Sequence, residues 1–210
     1  FPLRGLAALD TSGGDEIVIL NDIHLTGIPE EKIPGNAKDD DDHLRAAVQQ
    51  ILALPKRPAA VIINGDLALS IGTAADYAVV RELIAPLRDA GIPVHLTLGN
   101  HDVRAVFNQA FPEMKSASDL KEPRHNSLID LPSTRLILLD TLDQTPGPGG
   151  KLGAEQIAWT LAKIDEVPTK QVVLVGHHNP QVGGDTSHYK GGLADTADFW
   201  PEIAKRQQVK

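Results

Sequence analysis

Four apolar runs in this chain each end abruptly in side chains that bind metals or carry protons. Residues 16–20 run into Asn21-Asp22-Ile23-His24. Residues 59–63 run into Asn64-Gly65-Asp66. Residues 92–98 run into Gly99-Asn100-His101-Asp102. Residues 171–176 run into His177-His178. A short unbroken apolar run bounded by turn formers reads as a strand buried on both faces. Amphipathic stretches lie between the runs. The first, 43–54, carries Leu44, Val48, Ile51 and Leu52 at helical spacing. The second, 73–90, carries Tyr77, Val80, Ile84 and Leu87, with Pro86 as a potential kink and Gly91 as its stop. Further helices are expected over 153–166 and 195–207. Strands alternating with helices define an α/β protein, and in such folds function gathers where a strand ends and its loop begins.

The remainder is less regular. Residues 1–15 read as a leader, and 16–210 as one domain. The stretch 108–124 reads as a loop with a short helix. Residues 127–131 and 134–140, parted by Pro132-Ser133, read as an antiparallel hairpin. Val209-Lys210 looks like the first step of another strand. Trp159 and Trp200 fall on helices as packing residues. His95 is expected in the core, His43 and His125 on the surface.

Composition excludes several classes. The chain has 210 residues and no apolar run near the roughly 20 residues of a membrane span. A net charge of −8 opposes binding to nucleic acid or anionic membranes. It does not oppose an anionic substrate, because a bound cation reverses the local field. The chain has no cysteine, so any metal must sit on His, Asp, Glu or Asn, a ligand set that suits Mn, Fe or Zn. The start at Phe1 and the leader favour an exported or periplasmic protein over a cytoplasmic one.

The strand-end residues make one chemical set. Asp22 and His24 are two apart, so on an extended segment both would point the same way and hold one metal. Asp66 follows a glycine, and one carboxylate can bridge two metals about 3.5–4 Å apart. Asn100 and His177 suit the second metal. His101, oriented by Asp102, can protonate a leaving group or stabilise charge. Taken singly each residue has a plainer role: Asp66 as a helix N-cap, Asn100 as a turn residue, Asp22 and His24 as loop residues. The run Asp39-Asp40-Asp41-Asp42 precedes a helix, where carboxylates favour the dipole. His178 and His188 are candidates for contact with substrate or with the ligands.

Asp22-x-His24, Gly65-Asp66, Gly99-Asn100-His101-Asp102 and Gly176-His177, in this order, resemble the motifs of the calcineurin-like metallophosphoesterase superfamily. His177-His178-Asn179-Pro180 resembles its bacterial cyclic-nucleotide and glycerophosphodiester phosphodiesterase branch. The resemblance implies a four-layer α-β-β-α sandwich with two metal ions at the C-terminal ends of strands. It implies Asp22 and His24 on the first ion, Asp66 bridging, and Asn100 and His177 on the second. His101 would assist the leaving group with Asp102 in support, and a metal-bridging hydroxide would attack phosphorus. The superfamily also carries a final Gly-His-x-His, which does not follow Lys210, so the domain is expected to be incomplete at its C-terminus. The expected function is hydrolysis of a small phosphorylated substrate, a phosphodiester ahead of a phosphomonoester. The alternative is a catalytically impaired binding protein of the same fold. A serine hydrolase is disfavoured, because the chain has no Gly-x-Ser-x-Gly.

Overall fold

Each apolar run forms a strand, and each strand stops where its motif begins. The computed structural model describes residues 7–10, 16–28, 32, 40–181 and 191–210. In chain order the elements are β1 (Ala7–Asp10), β2 (Glu16–Asn21), α1 (Asp40–Leu52), β3 (Ala60–Asn64), α2 (Ala74–Asp89), β4 (Val94–Thr97), α3 (Arg104–Ala110), β5 (Ser127–Asp130), β6 (Thr134–Leu139), α4 (Ala154–Asp165), β7 (Gln171–Gly176) and α5 (Thr196–Ala204). One sheet has the order β1-β2-β3-β4, the other β5-β6-β7.

Alternation along the strands sorts the side chains into layers. Ile17, Ala60 and Ile62 of the first sheet meet Ile129, Leu136, Leu138 and Val175 of the second. Val18, Val61, Ile63 and Leu96 turn the other way, onto Leu44, Val48 and Ile51 of α1 and Val80, Ile84 and Leu87 of α2. On the far side, Ile137, Leu139 and Val172 meet Ile164 of α4 and Phe199 and Ile203 of α5. The result is the four-layer α-β-β-α sandwich. All of β3 is buried because both its faces are covered, and each such aliphatic side chain contributes about 1.5–3 kcal/mol.

Register brings the motifs to one level. β2, β3 and β4 run parallel, with Asn21 beside Asn64 and Asn64 beside Thr97. β6 and β7 are parallel, with Leu139 beside Gly176. The loops after β2, β3, β4 and β7 therefore leave the sandwich at one end.

Several expectations change. Ala7–Asp10, counted with the leader, pairs antiparallel with β2. A helix starts within Val103–Phe107, as the residues after the third motif suggest, and runs over Arg104–Ala110; the stretch 111–124 holds no helix. Pro86 is tolerated in the last turn of α2, and Gly91 follows at φ 72. Asp40, Asp41 and Asp42 occupy the first turn of α1; Asp39 lies outside the described residues. Val209 bridges Val172 in parallel, as a strand's first step would. His95 is half-buried in β4, while His43 is exposed. His125 is buried, not superficial. Its backbone N–H donates to Asp140 at 2.8 Å, and its ring stands edge-on to Phe107 at 4.7 Å, so the preceding loop folds inward there. Trp200 is 39% exposed, because the apolar face of α5 is already supplied by Phe199 and Ile203.

Candidate metal centre

Asp22 and His24 meet by a route that the period-two argument did not foresee. The backbone is left-handed at Asp22 (φ 54), His24 (φ 45) and Asp66 (φ 47). Such conformations cost non-glycine residues about 1–2 kcal/mol each, and they persist where surrounding bonds over-determine them. Here the loop after β2 lies alongside the loop after β3. His24 N–H donates to the Asp66 carbonyl at 3.1 Å, Leu25 N–H to that of Leu67 at 2.9 Å, and Leu69 N–H to that of Leu25 at 2.8 Å. His24 Nε2 ends 3.8 Å from Asp22 Oδ1.

Asp66 is the focus. Its Oδ2 faces three imidazole nitrogens: His177 Nε2 at 3.5 Å, His24 Nε2 at 3.9 Å and His101 Nε2 at 3.9 Å. Its Oδ1 accepts the His101 backbone N–H at 3.0 Å. The other ring nitrogens explain why these Nε2 atoms are free to serve. His177 Nδ1 lies 3.0 Å from the Asn64 carbonyl, and His101 Nδ1 lies 2.8 Å from the Leu69 carbonyl. A carbonyl only accepts, so each Nδ1 carries a proton, and Nε2 is the atom turned towards Asp66, where it would offer a lone pair to a metal once the ring is neutral. That is how a metal-binding histidine is held. His24 Nδ1 is buried and has no hydrogen-bond partner among the described residues; a bound ion or its water would satisfy such an atom.

Two groups have ligand atoms within 4.8 Å of one another: His24, Asp66 and His101, and Asp22, Asp66 and His177. Asp66 belongs to both, as a carboxylate between two ions must. The grouping differs from the sequence expectation in that His101 turns inward beside His24, their ring centroids 5.0 Å apart. Asn100 sits half-buried in the turn between Gly99 and His101. That turn presses on Asp66 so closely that a Cβ on Gly99 would lie 2.8 Å from Asp66 Cγ.

Charge follows from this crowding. Burial raises the Asp66 carboxyl, but His177 and the His101 N–H outweigh it and hold Asp66 below the usual carboxylate range. Burial lowers His177, yet its bond to Asp66 reverses this, to about 9. Burial and the neighbouring His177 push His178 down to about 4. His178 pairs with Thr141 Oγ1 through Nδ1 at 2.8 Å. In metal-free protein, histidine NMR titration is therefore expected to show adjacent residues with widely separated midpoints, His177 at about 9 and His178 at about 4. Midpoints both near 6.5 would mean that Asp66 and His177 are not paired.

Asp102 does not orient the His101 ring, which the Leu69 carbonyl does. The Asp102 side chain is fully buried. It accepts from Gly99 N–H at 2.9 Å, Leu67 N–H at 3.2 Å and the Tyr77 hydroxyl at 3.1 Å. Burial pushes it up to about 6, against the pull of the Gly99 and Leu67 amides. It ties the loop after β3 to the loop after β4. His188 lies outside the described residues. Sequence reasoning passed over Asn64. Its Nδ2 donates to Asn21 Oδ1 at 3.0 Å and to the Gly176 carbonyl at 3.3 Å, and its Oδ1 accepts from Thr97 at 2.9 Å. The signal was an Asn at two successive strand ends.

The chain is similar to several known proteins. A glycerophosphodiester phosphodiesterase, GpdQ, of Enterobacter lignolyticus (strain SCF1) is 30% identical over 135 residues, or 63% of this chain and 46% of that protein. A cAMP/cGMP dual specificity phosphodiesterase of Mycobacterium tuberculosis is 30% identical over 163 residues, 77% of this chain and 48% of the relative. A probable glycerophosphodiester phosphodiesterase of Arcobacter nitrofigilis is 29% identical over 199 residues, covering 92% and 68%. The chain spans about half the length of the first two of these curated relatives. Among solved structures, a purple acid phosphatase from yellow lupin (Lupinus luteus) seeds has the same fold, with a TM-score of 0.50 and 14% identity over 80% of this chain and 31% of that one. The family profile of the calcineurin-like phosphoesterases matches residues 16–206, a span that takes in every strand-end motif, and the chain belongs to that family.

Proposed function

We propose that this protein hydrolyses phosphoesters at a two-metal centre, with phosphodiesters preferred over phosphomonoesters. One observation carries the reading: a buried carboxylate, Asp66, faced by three imidazole Nε2 atoms, two of which have their Nδ1 tied to backbone carbonyls. Asp22, His24, Asp66, Asn100 and His177 would hold the ions, Mn, Fe or Zn by ligand type. When bound, such ions offset the charge on the phosphoryl oxygens and acidify the attacking water. The chain's own residues supply the rest. His101 is one-third exposed and held by the Leu69 carbonyl, so with both ring nitrogens protonated its Nε2 would deliver a proton to the departing alkoxide and leave the ring neutral, with Nδ1–H still on that carbonyl. The diester preference draws support from relatives named for glycerophosphodiesters and for cyclic nucleotides.

The test is metal content and turnover on one preparation of verified intact mass. Loaded with Mn, it is expected to bind about two ions per chain and to cleave bis(p-nitrophenyl) phosphate faster than p-nitrophenyl phosphate. Full loading without turnover of either ester would overturn the reading. Faster cleavage of the monoester would overturn the preference alone.

A further inference from the structure

The loop that presents Asn100 and His101 is held from beneath by a residue of α2. Tyr77 is fully buried. Its hydroxyl donates to Asp102 Oδ1 at 3.1 Å and accepts the Val103 N–H at 2.9 Å. Its ring packs edge-on against Phe107, centroids 5.8 Å apart, which fixes the depth of the hydroxyl. On a third side the hydroxyl abuts Gly72, where a Cβ would lie 2.9 Å from Tyr77 Cζ. Gly72 N–H donates to the His101 carbonyl at 2.8 Å. The phenol thus touches the residue after His101, the one after that, and the loop that grips His101.

We infer that Tyr77 is a positioning residue of the centre: its hydroxyl sets the 99–103 loop, and through it the direction of His101. The neighbouring residue does the same for the other loop. Asp76 is buried and closes a capping box with Thr73. It also accepts from Gly27 N–H at 2.8 Å and Thr26 Oγ1 at 3.2 Å, just past His24. The first turn of α2 therefore holds both the loop after β2 and the loop after β4. Neither residue is hydrogen-bonded to a candidate ligand; Tyr77 acts through the Asp102 carboxylate and the Val103 N–H, and Asp76 through the Gly27 N–H and the Thr26 hydroxyl. As a claim about turnover, this rests on the hydrolase reading above.

Tyr77→Phe tests it with the smallest available change. The ring and its packing stay, while Asp102 loses one donor and the Val103 N–H loses its acceptor. Partners of this indirect kind are worth about 10–100-fold in activity. The expected result is a fall in kcat of about tenfold with KM within about twofold of the parent. In metal-free protein, the His101 ring 15N shifts are expected to move away from the Nδ1–H form. Ile164→Val, in the core between α4 and the second sheet, controls for lost stability. It is expected to lower Tm without moving kcat or the His101 shifts. A Tyr77→Phe protein that only loses Tm, with kcat and ring signals unchanged, overturns the inference. Should the parent protein hydrolyse nothing, the hydrolase reading fails, and the His101 shifts alone decide the role of Tyr77.

Discussion

Asp66→Asn is expected to abolish metal loading and hydrolysis together while leaving the fold intact. The amide keeps the volume of the carboxylate, and its oxygen can still accept the His101 N–H that Oδ1 accepts now. It removes the negative charge on which His24, His101 and His177 converge at 3.5–3.9 Å. Partners that only orient a ligand are worth about 10–100-fold. A residue belonging to both ligand groups should exceed that, with losses greater than about 100-fold in metal affinity and in turnover. The metal-free variant gives an independent check. The His177 midpoint, held at about 9 by Asp66, is expected to drop by more than a unit. Elemental analysis, turnover and histidine titration on the same protein measure all three. Metal content near that of the parent would place the centre elsewhere.

Gly65→Ala is expected to damage stability and metal binding at once, and Gly153→Ala separates the two effects. Both glycines are left-handed, at φ 73 and φ 79. An alanine at Gly65 bears about 1–2 kcal/mol of backbone strain, and one at Gly153, whose φ 79 and ψ 157 lie in a region essentially limited to glycine, about 1–3 kcal/mol; either is worth several degrees of Tm in a domain of this size. Their surroundings differ. A Cβ on Gly65 would enter the His177 ring, 2.7 Å from that residue's Cβ, whereas no described atom lies within 4 Å of one on Gly153. Gly153→Ala should therefore lower Tm and leave metal affinity unchanged. Gly65→Ala should lower Tm further and weaken metal binding by at least about tenfold, because it displaces His177 from Asp66. Equal behaviour of the two variants would show that His177 is free to move.

The architecture was legible because its signals are local. Unbroken apolar runs ending in polar motifs located β2, β3, β4 and β7, and the helical spacing of Leu44, Val48 and Ile51 located α1. β1 escaped because its apolar run is short and rich in alanine, which favours strands weakly; it pairs with β2. His125 escaped because its burial depends on Asp140 and Phe107, one of them fifteen residues downstream. Within the site, sequence order placed Asp22, His24, Asp66, Asn100, His101 and His177 at strand ends, and the structure brings Asp22, His24, Asp66, His101 and His177 together. What sequence could not supply was orientation. The left-handed turns at Asp22 and His24, the inward face of His101, and the anchoring of Asp102 by Tyr77 all depend on hydrogen bonds between loops far apart in the chain. Pattern reading sees one loop at a time.

The two sheets meet mainly through aliphatic side chains, and such contact is non-directional; at the end that carries the motifs, Asn64 Nδ2 on the Gly176 carbonyl and His177 Nδ1 on the Asn64 carbonyl are directional contacts across the seam. Asp22, His24, Asp66, Asn100 and His101 hang from the first sheet, and His177 from the second. Ions held as proposed would add a further pin across that seam. Catalyst and carpentry then share the same parts. Under the proposed function, metal would serve the join between the sheets as well as the chemistry, and loading is expected to raise Tm.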